Sequence, residues 1–411
     1  MAEIQPFHGV LYNTARVNPA DVLTQPYDKI TPEMREAYLK RSPYNLVQIE
    51  LGKEQPGDND TTNKYSRARD LYQQWLKDGV LRRSNKPALY YLEQEFAAPD
   101  GSGRKTRTGL IARVRLHRWD EGVILPHEHT LSKPKADRMA LLKAVGSQQG
   151  HIFMLYPKPA KPVLARPAGK PTLECVDDYS VTNRVWEITD PAAIAGAQAA
   201  LRDLKFYIAD GHHRYETALA YRDEMQTEAG KFVMATLVDM SDAGLVVLPT
   251  HRTIANLTGF DRQKFHAQLA PQFEITPQTK LSLTGHTIGM FDGQGYFTLR
   301  PKNPAALRPL FANKPPLWDT LDVAILHVAI LEALLGIDEK RLAEEANVSY
   351  WREPEKAVAQ VQAGKAQLAF FLTPTPVPDV KAIADARSRM PQKSTDFYPK
   401  LLSGMTIYEV R

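Results

Sequence analysis

The stretch FYIADGHHRYETALAYRDEM, Phe206 to Met225, decides how the rest of the chain is read. Phe206 to Ala209 are apolar and β-prone, and the run stops at Asp210-Gly211-His212-His213-Arg214. Beyond it Tyr215, Ala218, Leu219 and Arg222 fall on one helical face with mostly polar residues opposite, which predicts a strand turning into a helix at Gly211. Glycine allows a backbone turn that a side chain would obstruct. The free N–H groups of the first helical turn carry partial positive charge, so an anion is favoured there, phosphate above all. Arg214 adds a planar fork of donors, and His212 and His213 can donate hydrogen bonds or move protons near neutral pH. Asp210 is placed to hold a metal ion, accept a proton or orient a histidine. A bland reading makes Asp210 a helix cap and the histidines satisfied packing groups. Five polar groups at one junction favour a site.

Around this motif the chain reads as mixed α/β. Its 411 residues, 43% hydrophobic and 24% charged, suffice for two or three lobes with a buried core. KFVMATLVDM and LVVLPTHR are continuous apolar runs of the kind covered on both faces, and ALYYLEQEF and TRTGLIARVRL form a hairpin across APDGSGRK. A helix is expected over Lys64 to Lys77, another in LDVAILHVAILEALL, where His327 reads as a core histidine, and a third around Val380 to Arg389. Pro157 to Pro171 is too rich in proline for anything but loop or extended edge. Glycine and polar residues between short alternating runs mark 257–315 as a small α+β lobe inserted into a core formed by 1–256 and 316–411.

Charge and cysteine content narrow the function. The net charge of +5 is spread widely, and no basic recognition helix is evident, so nucleic acid is a disfavoured partner and a small anionic ligand a better one. No apolar run approaches the roughly 20 residues of a membrane span, and MAEIQPFHGV lacks a basic region followed by an apolar one, so the expected location is the cytoplasm. A lone cysteine, Cys175, rules out a disulfide framework within the chain.

Three further polar clusters accompany the first. LPHEHTLSKPKADRMALLKA crowds His127, Glu128, His129, Lys133, Lys135, Asp137 and Arg138 into a loop and the start of a helix, a density that is costly unless solvated or bound to something charged. His-x-His invites a zinc reading, but a clear third ligand is missing and the cations nearby oppose a metal; recognition of phosphate or carboxylate by Lys133, Lys135 and Arg138 fits better. In MPQKSTDFYPKLLSGM, Lys393 stands beside the hydroxyls of Ser394 and Thr395. Thr250, His251 and Arg252 follow the apolar run LVVLP, and strand ends are common places for site residues in α/β sheets.

ADGHHRYETAL, HEHTLSKPKADRMALLKA, PYDKI, LPTHR and MPQKSTDFYPKLLSGM together resemble the bacterial and archaeal domain-of-unknown-function family 1015, from Pro6 to near the C-terminus. More distantly, Asp210-Gly211-His212-His213-Arg214 followed by Glu216 is similar to the phosphate-binding box of the ParB and sulfiredoxin superfamily, which includes CTP-binding partition proteins, ATP-using sulfiredoxins and free-serine kinases. The resemblance implies a phosphate-binding core of that type, and the DGH-x-R box of the kinases implies phosphate-binding and catalytic roles for Asp210, Gly211, His212 and Arg214. Ala218 falls one place later than the partition-protein pattern requires, and Cys175 is remote from the box, which sets the kinase-like branch ahead of the other two.

The resulting expectation is a phosphotransferase acting on a small hydroxylated metabolite, serine first among them, with ATP, ADP or pyrophosphate as donor. Gly211 and Arg214 would hold the donor's phosphates, with Lys133, Arg138, His127, His129, Arg252, Lys393, Ser394 and Thr395 completing the anion pocket. Asp210 would carry Mg²⁺, and the proton acceptor would be Glu128, His212 or His213. The chain has no Gly-x-x-x-x-Gly-Lys-Ser/Thr loop. A phosphoesterase using the same pocket and a nucleotide-gated DNA-binding protein are the alternatives.

Overall fold

The computed structural model describes all residues except 129–132, 160–162 and 345. The chain folds into two compact units. The first comprises Met1–Pro126, Leu131–Val246 and Pro399–Arg411, and the second His127–Thr130 and Val247–Tyr398.

A nine-stranded mixed sheet organises the first unit. Its middle is the hairpin Leu89–Ala97 and Arg104–Arg115, antiparallel with Tyr91 opposite Leu110, flanked by Phe232–Asp239 and then Ile152–Tyr156. The strand Phe206–Asp210 lies antiparallel to Ile152–Tyr156, with a register shift between Ile208 and Asp210. That irregularity ends the pairing where the chain must leave the sheet. Phe232–Asp239 is buried along nearly its whole length, as an uninterrupted apolar run requires. Leu89, Ile152, Met154, Phe206, Ile208, Tyr215 and Ala218 share one core cluster, so the helix after Gly211 packs on the sheet through the face its spacing marked out. The helix Lys64–Lys77 has the expected bounds, fixed at its start by a capping box between Asn63 and Ser66.

In the second unit a six-stranded, wholly antiparallel sheet runs in the order Phe273–Gln278, Tyr296–Pro301, Ile288–Phe291, Leu368–Phe371, His251–Ile254, Val348–Trp351. This corrects the expected inserted lobe. Residues 257–315 supply three strands of that sheet, and Met290 pairs with Phe370, so their ladder is completed by a strand beyond the expected C-terminal boundary, which itself pairs with His251–Ile254 before the other. LVVLPTHR is two strands, Val246–Leu248 and His251–Ile254, because Pro249 lacks the N–H that a continuous ladder needs. The apolar helix also divides: Asp322–Ile325 is α-helical, and Leu326–Glu332 continues as a π-helix that holds His327 buried. Among the described residues no helix is long and apolar enough to cross a membrane.

Candidate functional site

Gly211 is where the backbone decides the site. Its φ of 94° is left-handed, and the helix His212–Met225 begins directly after it with no side chain capping the first turn. A Cβ on Gly211 would lie 3.2 Å from the guanidinium of Arg214, so glycine serves both the turn and the fold-back of Arg214 over the helix end. Tyr215 anchors the helix from the other side. Fully buried, it stacks on Trp119 at 4.7 Å and donates its hydroxyl proton to the carbonyl of His117 at 2.8 Å. Asp210, then, is no helix cap.

The carboxylate of Asp210 is instead the hub of an ion network. Lys400 Nζ donates to Oδ2 at 3.1 Å, and Arg214 Nη2 stands 3.9 Å from Oδ1. Burial works against the ionised form, but the charges of Lys400, Arg214 and Lys29 and the Lys400 hydrogen bond outweigh it and hold the carboxyl well below the usual carboxylate range. Arg214 Nη1 also donates to the carbonyl of His151 at 2.5 Å. His151 itself faces Thr236 and Thr406, and burial, reinforced by the Arg214 charge, pushes it down to about 3. It remains neutral.

Arg138 reaches the same neighbourhood from the helix Lys133–Val145. It donates to the carbonyl of Glu50 at 2.9 Å and to Asp137, and its guanidinium lies 4.3 Å from the ring centroid of Tyr27. Asp137 is fixed in turn by Tyr65 at 2.9 Å and Lys64 at 3.1 Å. A cavity of about 60 Å³ is lined by Tyr27, Glu50, Arg138, Gly150 and Arg214, and a cleft of about 530 Å³ shares Glu50, Arg138 and Leu141 with it. The larger volume falls in the range of small-molecule sites, roughly 300 to 1,000 Å³.

Glu50 is the residue the sequence did not reveal. It closes the short helix Val47–Glu50 and is 4% exposed. Oε1 accepts from Ser403 Oγ at 3.0 Å, and the buried Oε2 has no hydrogen-bond partner among the described residues. Burial pushes its carboxyl above the ordinary range, although Arg138, Ser403 and Arg214 pull the other way. Gly150 makes room for the arrangement, since a Cβ there would sit 3.0 Å from Arg214 Nη1, 3.2 Å from Ser403 Oγ and 3.6 Å from Glu50 Oε1. An acid alone in the apolar run NLVQIE is the signal the sequence carries for Glu50, and PYDKI supplies Tyr27 and Lys29.

The expected pocket residues separate into two groups. Asp210, Gly211, His212, His213, Arg214 and Arg138 belong to the first unit, with His212 buried and His213 half-buried at the head of the helix. His127, Glu128, Arg252, Lys393, Ser394 and Thr395 belong to the second. His129 lies outside the described residues, and of Lys133 only its place at the start of a helix is described. Lys135 is paired with Glu216, which occupies its charge. His127 is fully buried, its Nε2 2.8 Å from Thr395 Oγ1 and its ring edge-on to Phe397. Glu128 Oε1 accepts from the backbone N–H of Lys393 at 2.7 Å, at a residue whose φ is 56°. Ser394 donates to the carbonyl of Pro391 at 2.5 Å, and Arg252 donates to that of Lys393 at 2.9 Å. These contacts knit residues 127–128 to 390–395 and give His127, Glu128, Ser394 and Thr395 packing partners of their own.

Mg²⁺ on Asp210 fits poorly. Oδ2 holds Lys400, Oδ1 faces Arg214, and among the described residues no group of three or more histidine, cysteine, aspartate or glutamate side chains could hold a metal ion. The carboxylate is better described as the anchor that fixes two cations.

The fold and this network define a mixed α/β protein whose strand-to-helix turn carries the ion network of Asp210, Lys400 and Arg214. The chain belongs to the family described as protein of unknown function (DUF1015), whose model matches residues 4–324. No curated protein matches it. Among solved structures, it is similar to a conserved hypothetical protein from Pyrococcus furiosus (13% identity, TM-score 0.34, 70% of this chain and 90% of that one). It is also similar to a free serine kinase in complex with AMP (12%, 0.35, 72% and 92%) and to SbnI with a C-terminal truncation from Staphylococcus aureus (11%, 0.36, 71% and 85%).

Proposed function

We propose that the first unit is a kinase-like phosphotransferase that moves a phosphoryl group from a nucleotide or pyrophosphate to the hydroxyl of a small metabolite, serine heading the candidates. The observation that carries this reading is the convergence of Arg138 and Arg214, both held by acids or carbonyls, on the buried and half-satisfied carboxylate of Glu50 at one cavity. Phosphoryl transfer asks a protein mainly for positioning and neutralisation of charge. Arg214 and the N–H groups after Gly211 would receive the donor's phosphates, and Arg138 the transferred group. Glu50 would take the proton of the acceptor hydroxyl as its oxygen attacks phosphorus and the bond to the leaving phosphate breaks. A carboxyl raised by burial suits a base better than one held low by cations. Glu50 therefore replaces Glu128 in that role, while His212 and His213 stand at the helix head beside the phosphates. Asp210 would position Arg214 and Lys400. Mg²⁺, the usual companion of a polyphosphate, finds no preformed ligand set on Asp210. A cytoplasmic setting belongs to the same reading, because nucleotides and amino acids are at hand there.

The test is a ³¹P NMR screen of the purified protein with ATP, ADP or pyrophosphate, each with serine and a mixture of small hydroxy acids. A new phosphate-ester signal that Arg214→Ala abolishes supports the proposal and identifies the donor. Growth of inorganic phosphate alone would replace it with hydrolysis.

A further inference from the structure

Arg252 presents an energetic problem that the chain does not resolve by itself. The residue is 1% exposed, on the strand His251–Ile254. A buried guanidinium is costly unless paired with a carboxylate or fully hydrogen-bonded. Arg252 donates to the backbone carbonyls of Thr250 and Lys393, its charge lies 5.6 Å from the ring centroid of Tyr350, and its Nε has no hydrogen-bond partner among the described residues. Among the described residues no carboxylate comes within ion-pair distance of it. Burial pushes the Arg252 guanidinium down to about 10, and the charges of Tyr350 and Glu128 offset only part of that. Nearby His327 is buried too, with an unpartnered Nε2.

Arg252 lines a pocket of about 330 Å³ contained within the second unit, and the same pocket is lined by two acids, Asp322 and Asp379. Asp322 accepts weakly from Thr373 Oγ1 at 3.5 Å and faces the well-exposed ring of His286 at 3.2 Å. Burial raises its carboxyl, His286 and Thr373 pull it down, and the charge of Asp379 adds to the rise. One space therefore carries a cation with no carboxylate partner among the described residues and a pair of acids, one of them 3.2 Å from the exposed ring of His286. Thr250, Thr320 and Thr375 are among its other lining residues. A free polyanion would be repelled by the acids, and a simple cation would leave Arg252 unanswered. A ligand with both charges satisfies both walls.

We propose that the second unit holds a binding site for a small zwitterion of the amino-acid class, its carboxylate received by Arg252 and its ammonium by Asp322 and Asp379. The proposal is independent of phosphoryl transfer in the first unit and does not rest on it. Loss of a hydrogen-bonded charge partner is worth about tenfold or more in affinity. The experiment is saturation-transfer NMR on the full chain with glycine, alanine, serine and glutamate, against acetate and methylammonium as single-charge probes. At least one amino acid should bind saturably, more tightly than either probe, and Asp322→Asn and Arg252→Met should each weaken it about tenfold or more while Arg214→Ala leaves it intact. Should Arg252→Met not fold, Asp379→Asn takes its place beside Asp322→Asn with the same expected direction. Binding of no amino acid, binding of acetate as tight as the best of them, or a loss that follows Arg214→Ala and not Asp322→Asn would overturn the assignment.

Discussion

In the first unit the charges around Gly211 are tied to one another, Asp210 to Lys400 and Arg214, Arg138 to Asp137, whereas in the second Arg252 is held by two backbone carbonyls and an aromatic ring. Paired charges stay where they are before any ligand arrives, and so form a rigid receptor whose cost is met in folding. An unpaired buried cation leaves part of its cost outstanding, to be relieved by what binds. Within the first unit the same contrast recurs on a smaller scale. Asp210 is surrounded by cations and Glu50 is only half satisfied, so two carboxylates of one network are pushed in opposite directions.

Glu50→Gln sharpens that contrast most. Loss of a general base lowers turnover by about 10² to 10⁴, yet stability should move the other way. The carboxyl is raised in the folded chain, so the native state binds the proton more tightly than the unfolded state and stability falls as pH rises from about 4.3 through the folded value. Glutamine removes that penalty, so at neutral pH the variant should unfold at higher urea concentration than the wild type, and its stability should lose this slope with pH. A variant that is both inactive and less stable would make Glu50 a structural group.

Asp210→Asn tests the other carboxylate. Removing one member of a buried pair takes from Lys400 its hydrogen bond to Asp210 and costs about 3 kcal/mol. The sign is opposite to that of Glu50. A depressed folded value means that Asp210 contributes its stability above about pH 4, the unfolded value, and loses it as pH falls further. Urea titrations across the acid range should show the wild type losing stability below that point and the variant, already weaker at pH 7, with a shallower acid limb. Equal acid limbs would separate Asp210 from the network.

The sequence made the strand, the turn at Gly211 and the helix legible because local spacing and one glycine specify them. Leu89–Ala97, Arg104–Arg115 and Lys64–Lys77 were legible for the same reason. What it hid was membership. Residues 257–315 look like an insertion because their strands are short and polar, but Met290 finds its partner at Phe370, some eighty residues on. The site was half legible likewise. Arg214 and Arg138 stand in dense polar motifs, whereas Glu50, Gly150 and Lys400 enter through distant segments, and their chemistry comes from burial that no local pattern announces. Within MPQKSTDFYPKLLSGM the cation expected to matter was Lys393; the one on Asp210 is Lys400.

Gly150→Ala asks how tightly the anchored network is packed. The added methyl would sit 3.0 Å from Arg214 Nη1 and 3.2 Å from Ser403 Oγ, so one of them must give. Overpacking costs about 1 to 3 kcal/mol. Because Gly150 has no left-handed backbone to lose, the effect comes from space alone, and Gly150→Ser should be at least as damaging as alanine by thermal unfolding. An alanine variant with wild-type stability would show that Arg214 and Ser403 are free to move.

Tyr27→Leu has the smallest expected effect and bears most directly on the comparison between the units. Each has an arginine over a tyrosine ring, the half-buried Arg138 at 4.3 Å from Tyr27 and the buried Arg252 at 5.6 Å from Tyr350. Arg138 also has Asp137 and the carbonyl of Glu50, so removing the ring beneath it should cost only about 0.5 to 1 kcal/mol. Tyr350→Leu removes a larger share of what Arg252 has, and it should cost more in urea unfolding despite the longer distance. If the two substitutions cost the same, the ring contributes equally with and without a carboxylate beside the cation, and the contrast between an anchored arginine and one awaiting a counter-ion fails.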